Sequence, residues 1–151
     1  MSARLPLPSR MLAGLGLLAF LGLAPALAVA TGFGGDNPPS RIPIPAKDYS
    51  AKVEDQGGVV VEVDRVTWNG EVFLYGNVGA AQVTVPFDGI RTVEILPSTV
   101  QGKRKARVSL RTGESVEIQV NDDTPCYGRT KFGNYSIEAE EIRFVTFEER
   151  P

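Results

Sequence analysis

Arg107-Val108-Ser109-Leu110-Arg111 and Ser115-Val116-Glu117-Ile118-Gln119-Val120 place their apolar residues on alternate positions, on either side of Thr112-Gly113-Glu114. A period of two is the side-chain period of a β-strand, so each run buries one face and wets the other. Gly113 is free to take positive φ, which makes the intervening segment a hairpin loop. Upstream, Val59, Val61 and Val63 keep the same alternation, and the phase then shifts to Val66 and Trp68. A bulge near Asp64-Arg65 reconciles the two phases.

Short runs rich in Val, Ile, Thr and aromatic residues, punctuated by glycine, Asn-Gly or Asn-Asp about every eight to twelve positions, continue to the C-terminal end. No segment past Lys52 carries an i, i+3, i+4, i+7 apolar stripe, so helix is expected to be scarce. The pattern predicts an all-β domain over residues 53–148, a small antiparallel β-barrel or sandwich of about seven to nine short strands.

Laid over itself at an offset of 52, the segment Val66 to Ile95 meets Ile118 to Phe147 without a gap. Asn69 falls on Asn121, Tyr75-Gly76 on Tyr127-Gly128, Ile90-Arg91 on Ile142-Arg143 and Val93 on Val145. Apolar character also matches at Val66 and Ile118, Trp68 and Val120, Val85 and Ile137, and Ile95 and Phe147. These matches predict two related halves. Neither half offers enough short strands to bury a face alone, and two packed together make one core.

In both copies an Ile-Arg-x-Val step follows an acidic turn, Pro86-Phe87-Asp88-Gly89 in one and Glu138-Ala139-Glu140-Glu141 in the other. This step resembles the last two strands of small SH3-like and Sm-like barrels, where an acidic turn precedes an inward isoleucine and a closing strand. The resemblance implies a compact β-barrel or sandwich and carries no activity with it.

The first thirty residues read as an export signal. Arg4 and Arg10 form a positive n-region, Met11 to Leu23 is apolar, and Ala28-Val29-Ala30 is a small-residue cleavage site. The mature chain is expected to begin at Thr31, in the periplasm or outside the cell. The alternative is an uncleaved anchor, since Met11 to Ala30 is just long enough to span a bilayer, but Pro25 and the alanines near the end weaken such a span. After cleavage no stable membrane span is expected. The only cysteine, Cys126, lies far from the cleavage point, which disfavours a lipoprotein. Residues 31–52, with four prolines and three glycines among positions 31–46, read as a disordered tether. Ile42-Pro43-Ile44-Pro45 is weighed as a docking peptide and fits a plain linker better.

The chain carries 16 basic and 18 acidic residues, and removing Arg4 and Arg10 leaves 14 against 18. That balance lacks the basic excess of a nucleic-acid protein. A single cysteine makes no internal disulfide, so stability must come from packing, and Cys126 reads as a small buried apolar residue. Histidine is absent, which removes the commonest general base and the commonest zinc ligand. No catalytic, metal-ligand or phosphate-loop motif is present, and no cofactor is expected.

Lys103, Arg104 and Lys105, with Arg107 and Arg111, form the one marked charge cluster and the candidate ligand-binding face, for an anionic glycan or lipid head group. Alternation puts Lys105, Arg107 and Arg111 on one outward face; the competing reading is a strand edge kept from pairing by its charges. Asn121-Asp122-Asp123 has oxygen ligands for calcium but lacks the EF-hand spacing and reads as a turn. Tyr75, Tyr127 and Trp68 read as core aromatics before they read as sugar platforms.

The leading expectation is an exported, non-catalytic interaction or structural module of the cell envelope, with another envelope protein or an anionic polymer as partner. A binding module for an anionic head group or glycan is second. A small hydrolase using two carboxylates is third.

Overall fold

In a computed structural model the described residues are 41–149, and the expected leader and most of the expected tether lie outside them. The strands are β1 (Ala51–Asp55), β2 (Val60–Trp68), β3 (Phe73–Val78), β4 (Ala81–Pro86), β5 (Ile90–Val100), β6 (Lys103–Leu110), β7 (Ser115–Asn121), β8 (Pro125–Thr130), β9 (Gly133–Glu138) and β10 (Ile142–Phe147). They form one antiparallel sheet in the order β4-β3-β7-β6-β5-β10-β1-β2-β8-β9, curled over its apolar face as a half-barrel. Ten strands slightly exceed the expected number, and β4 and β9 end the sheet without pairing with each other.

The hairpin read first from the sequence is β6 and β7. Leu110 donates its backbone N–H to Glu114 across the loop, and Gly113 has φ of 96°. The bulge also stands where the phase shift put it. The β2·β8 register slips between Asp64 and Thr67, and Arg65 takes φ of 54° there.

The duplication is visible element by element. Adding 52 to the bounds of β3, β4 and the 3-10 turn Phe87–Gly89 gives those of β8, β9 and the 3-10 turn Ala139–Glu141, and β5 and β10 both open on the matched isoleucine. Ile90 and Ile142 are fully buried. Where β5 and β10 meet, Val93 pairs with Val145, while Glu94 pairs with Phe144 and Thr92 with Thr146. A pseudo-twofold axis therefore passes through the Val93–Val145 pair.

The two copies do not sit side by side. Four strand pairings are hairpins within a copy: β1·β2, β3·β4, β6·β7 and β8·β9. Five join one copy to the other: β1·β10, β10·β5, β5·β6, β3·β7 and β2·β8. Each copy thus lends its third and fourth strands to the other.

The repeated Tyr-Gly step marks the crossing points. A Cβ on Gly76 would overlap the carbonyl oxygen of Gln119 on β7, and one on Gly128 would overlap Val63 on β2. Only glycine lets these backbones approach so closely.

The core is one cluster that includes Val53, Val63, Val66, Trp68, Leu74, Ile118, Val120 and Cys126. It also corrects the domain boundary. Pro45 and Tyr49 are buried and β1 opens at Ala51, inside the stretch read as tether. Tyr49 is held by its ring, which meets Phe87 edge-on at 5.5 Å, and β1 fills the gap between β10 and β2.

Candidate functional site

The basic run is split by the sheet. Lys103, Lys105 and Arg107 are exposed on β6, whereas Arg104 takes the opposite phase. Its guanidinium donates to Asp122 at 2.7 Å and to the Pro97 carbonyl at 3.0 Å, and the side chains of Arg104 and Asp122 are only 14% and 16% exposed. Arg107 lies in register between Glu94 and Glu117 and donates to both, at 3.2 and 3.1 Å. Lys105 has Glu117 at 4.0 Å. Arg111 follows the end of β6, and its guanidinium donates to the carbonyls of Asp88 and Glu148.

Arg111 therefore leaves the face it was expected to share with Lys105 and Arg107. The reason is geometric: the strand ends at Leu110 and the chain turns there. The cationic face is in fact a mixed face, with acids drawn from β5 and β7. Exposed pairs of this kind contribute only about 0–1 kcal/mol each, but Glu94 and Glu117 offset part of the field that would gather an anion.

The other sequence candidates resolve locally. Asp122 accepts from Arg104 on one carboxylate oxygen and from Thr99 Oγ1 on the other, within a turn, so its charge is already used. Asn69 holds φ of 50° in the matching turn and donates Nδ2 to the Tyr75 hydroxyl at 3.1 Å. Trp68 is buried, with Nε1 unpartnered. Cys126 fills the place that Leu74 holds in the other copy, and burial pushes its thiol up to about 12. Among the described residues no group of three or more His, Cys, Asp or Glu side chains could hold a metal ion. No helix there is long and apolar enough to cross a membrane.

A cleft of about 330 Å³ is lined by Tyr49, Asp88, Arg111, Glu148 and Glu149. Its charges are engaged with one another. Lys47 Nζ meets Asp88 at 2.8 Å, and Arg111 has Glu149 at 3.9 Å. Burial, with Asp88 beside it, raises the Tyr49 hydroxyl above its ordinary value.

A different surface exposes an aromatic side chain. Phe132 lies in the two-residue turn between β8 and β9 and is 87% exposed. The turn is not loose. Thr130 Oγ1 accepts from the Phe132 N–H and donates to the Gly133 carbonyl, both at 3.1 Å. Lys131 sets its ammonium 4.9 Å from the centre of the Phe132 ring. The ring walls a groove of about 480 Å³ whose other lining residues include Val60, Val61, Lys52, Glu62 and Asp64. Val60 and the neighbouring Val59 are more than half exposed.

Strand β2 pairs with β8 only from Asp64 onward, which leaves Val60 to Val63 paired on the β1 side alone. The groove is therefore an open stretch of ladder flanked by apolar side chains. Sequence reading missed Phe132. The available signal was an aromatic residue inside a turn, flanked by Lys131 and Gly133, where a small polar residue is usual.

Residues 45–150 match the model of a family described as "Uncharacterised protein". The chain belongs to that family. Its first matched residue, Pro45, is also the first buried one among the described residues, so the family's extent coincides with the packed domain. No curated protein and no solved structure matches the chain.

Proposed function

We propose that this member of the family is an exported, non-catalytic module that holds another protein of the cell envelope through the Phe132 groove. The observation that carries the reading is the fixed, solvent-facing Phe132 ring beside Val60 and Val59. Leaving a phenylalanine in water forgoes about 1.5–3 kcal/mol of burial, a cost offset only if a partner covers the ring. Buried aromatic anchors of this kind dominate protein interfaces. The open ladder of β2 adds backbone groups that an extended partner segment would bond.

The leader-like N-terminus supports the envelope location. Binding of an anionic glycan or lipid head group is the weaker reading, because Arg104, Lys105 and Arg107 already face Asp122, Glu94 and Glu117.

The test is capture from an envelope extract by the wild-type chain and by Phe132→Ala. A partner retained by the wild type at high salt and weakened about tenfold or more by the variant is expected. Capture that Phe132→Ala leaves unchanged, or that vanishes with salt and depends on Lys103 to Arg111, contradicts the reading.

A further inference from the structure

We infer that the outer edge of β4 pairs with β4 of a second copy of this chain, giving a closed dimer. The inference is independent of the Phe132 groove, which lies at the other end of the sheet.

The two copies serve as each other's control. β4 and β9 are equivalent strands at opposite ends of one sheet, and each pairs on one side only. An edge that must stay single is guarded by charge. The β8–β9 hairpin carries Arg129 on β8, Lys131 in the turn and Glu138 at the end of β9, whereas no charged residue occurs from Val72 to Phe87, the whole stretch containing the β3–β4 hairpin, and Pro86 stands where β9 has Glu138. The β4 edge is therefore uncharged, and its one guard, Pro86, stands at the end of the strand, so two copies can meet along Ala81 to Val85 without charge repulsion.

The edge is also self-complementary. Val78 pairs with Ala81 across a two-residue turn in which Gly79 has φ of 59°, so these two residues form a hydrogen-bonded pair. Alternation then turns the backbone groups of Val83 and Val85 toward β3 and those of Gln82 and Thr84 outward. A twofold axis at Val83 sets Gln82 against Thr84 of the second copy and Thr84 against its Gln82, making four N–H to O=C bonds.

The same register lays Val83 on Val83 and Val85 on Ala81. Val83 and Val85 are half-buried at the margin of the core, and the added strand would complete their burial. The pairing is isologous and occupies the β4 edge of both copies, so it closes at two chains instead of propagating as a fibre. One added strand covers less surface than a permanent dimer needs, so the affinity is about micromolar.

The test uses the full chain in sedimentation over a concentration series, with two proline variants at equivalent positions. Thr84→Pro removes an outward N–H of β4 while keeping its ladder to β3, and Ser136→Pro does the same on β9. The wild type is expected to move from one to two chain masses as concentration rises, with slowed hydrogen exchange at the Gln82 and Thr84 amides. Thr84→Pro is expected to stay at one chain mass and Ser136→Pro to follow the wild type within about twofold in Kd.

Should Thr84→Pro lose its sheet signal in circular dichroism, Gln82→Lys with Thr84→Lys replaces it and is expected to stay at one chain mass. The inference is overturned by a wild type that stays monomeric, by association that survives Thr84→Pro, by loss in Ser136→Pro alone, or by growth beyond two chains.

Discussion

Single side chains in this protein are legible when their role is burial. Cys126, read from the sequence as a small apolar residue, is buried in the position that Leu74 occupies in the first copy. Its burial has a pH signature. The thiol is pushed up to about 12 by desolvation, as is the Tyr135 hydroxyl, raised first by burial and then by Cys126 and Asp55 nearby. In the unfolded chain these groups ionise at about 8.5 and 10. Both native values are raised, so their contribution to stability is full below about pH 8.5 and is lost as pH rises toward 12. Urea unfolding from pH 7.5 to 11 should show stability falling with pH, and Cys126→Ala, though less stable at neutral pH, should fall less steeply. Equal slopes for the two proteins would remove Cys126 from the account.

The charged side chains were less legible. Lys103, Arg104, Lys105, Arg107 and Arg111 are close in sequence, but the acids that meet Arg104, Lys105 and Arg107 come from elsewhere in the chain: Glu94 from β5, Glu117 from β7 and Asp122 from the turn after β7. A cluster in one dimension says nothing about its partners in three.

Strands were easier to foresee than their neighbours. The β6–β7 hairpin, the bulge at Asp64-Arg65 and the offset of 52 all follow from side-chain period and glycine placement. What pairs with what does not, because an alternating strand fits either neighbour whose apolar face points the same way. The Tyr-Gly identity held the missing information. It recurs because β3 crosses β7 at Gly76 and β8 crosses β2 at Gly128. Gly76→Ala and Gly128→Ala should each cost about 3 kcal/mol, the upper range for overpacking, since the atom met is backbone at one site and a β-branched side chain packed in the core at the other. Gly89→Ala, which meets nothing within 4 Å, is the control and should cost under about 1 kcal/mol by chemical denaturation. Losses below about 1 kcal/mol at both crossing glycines would mean that the strands do not approach as described.

At the scale of the molecule, two matching halves make one sheet with two unlike ends. The interior kept what both copies need, the Ile-Arg-x-Val step and the Val93–Val145 pair on the pseudo-twofold axis. The ends diverged: Ala80 stands in one hairpin turn where Phe132 stands in the other, and charge is present in one hairpin and absent from its twin. Divergence against a shared frame is what separates the proposed partner groove from the proposed self-pairing edge.

The frame itself rests on interlocking, with five of the nine strand pairings running between copies. Dividing the chain in the turn between Gln101 and Gly102 leaves each piece with only its two hairpins, and isolated hairpins are marginal in water. The most direct measurement is circular dichroism with thermal melting on fragments 1–101 and 102–151, alone and mixed. Interlocked copies predict no cooperative melt for either fragment alone and a cooperative, sheet-rich one-to-one complex on mixing. A fragment that folds by itself as a monomeric five-stranded unit would contradict it.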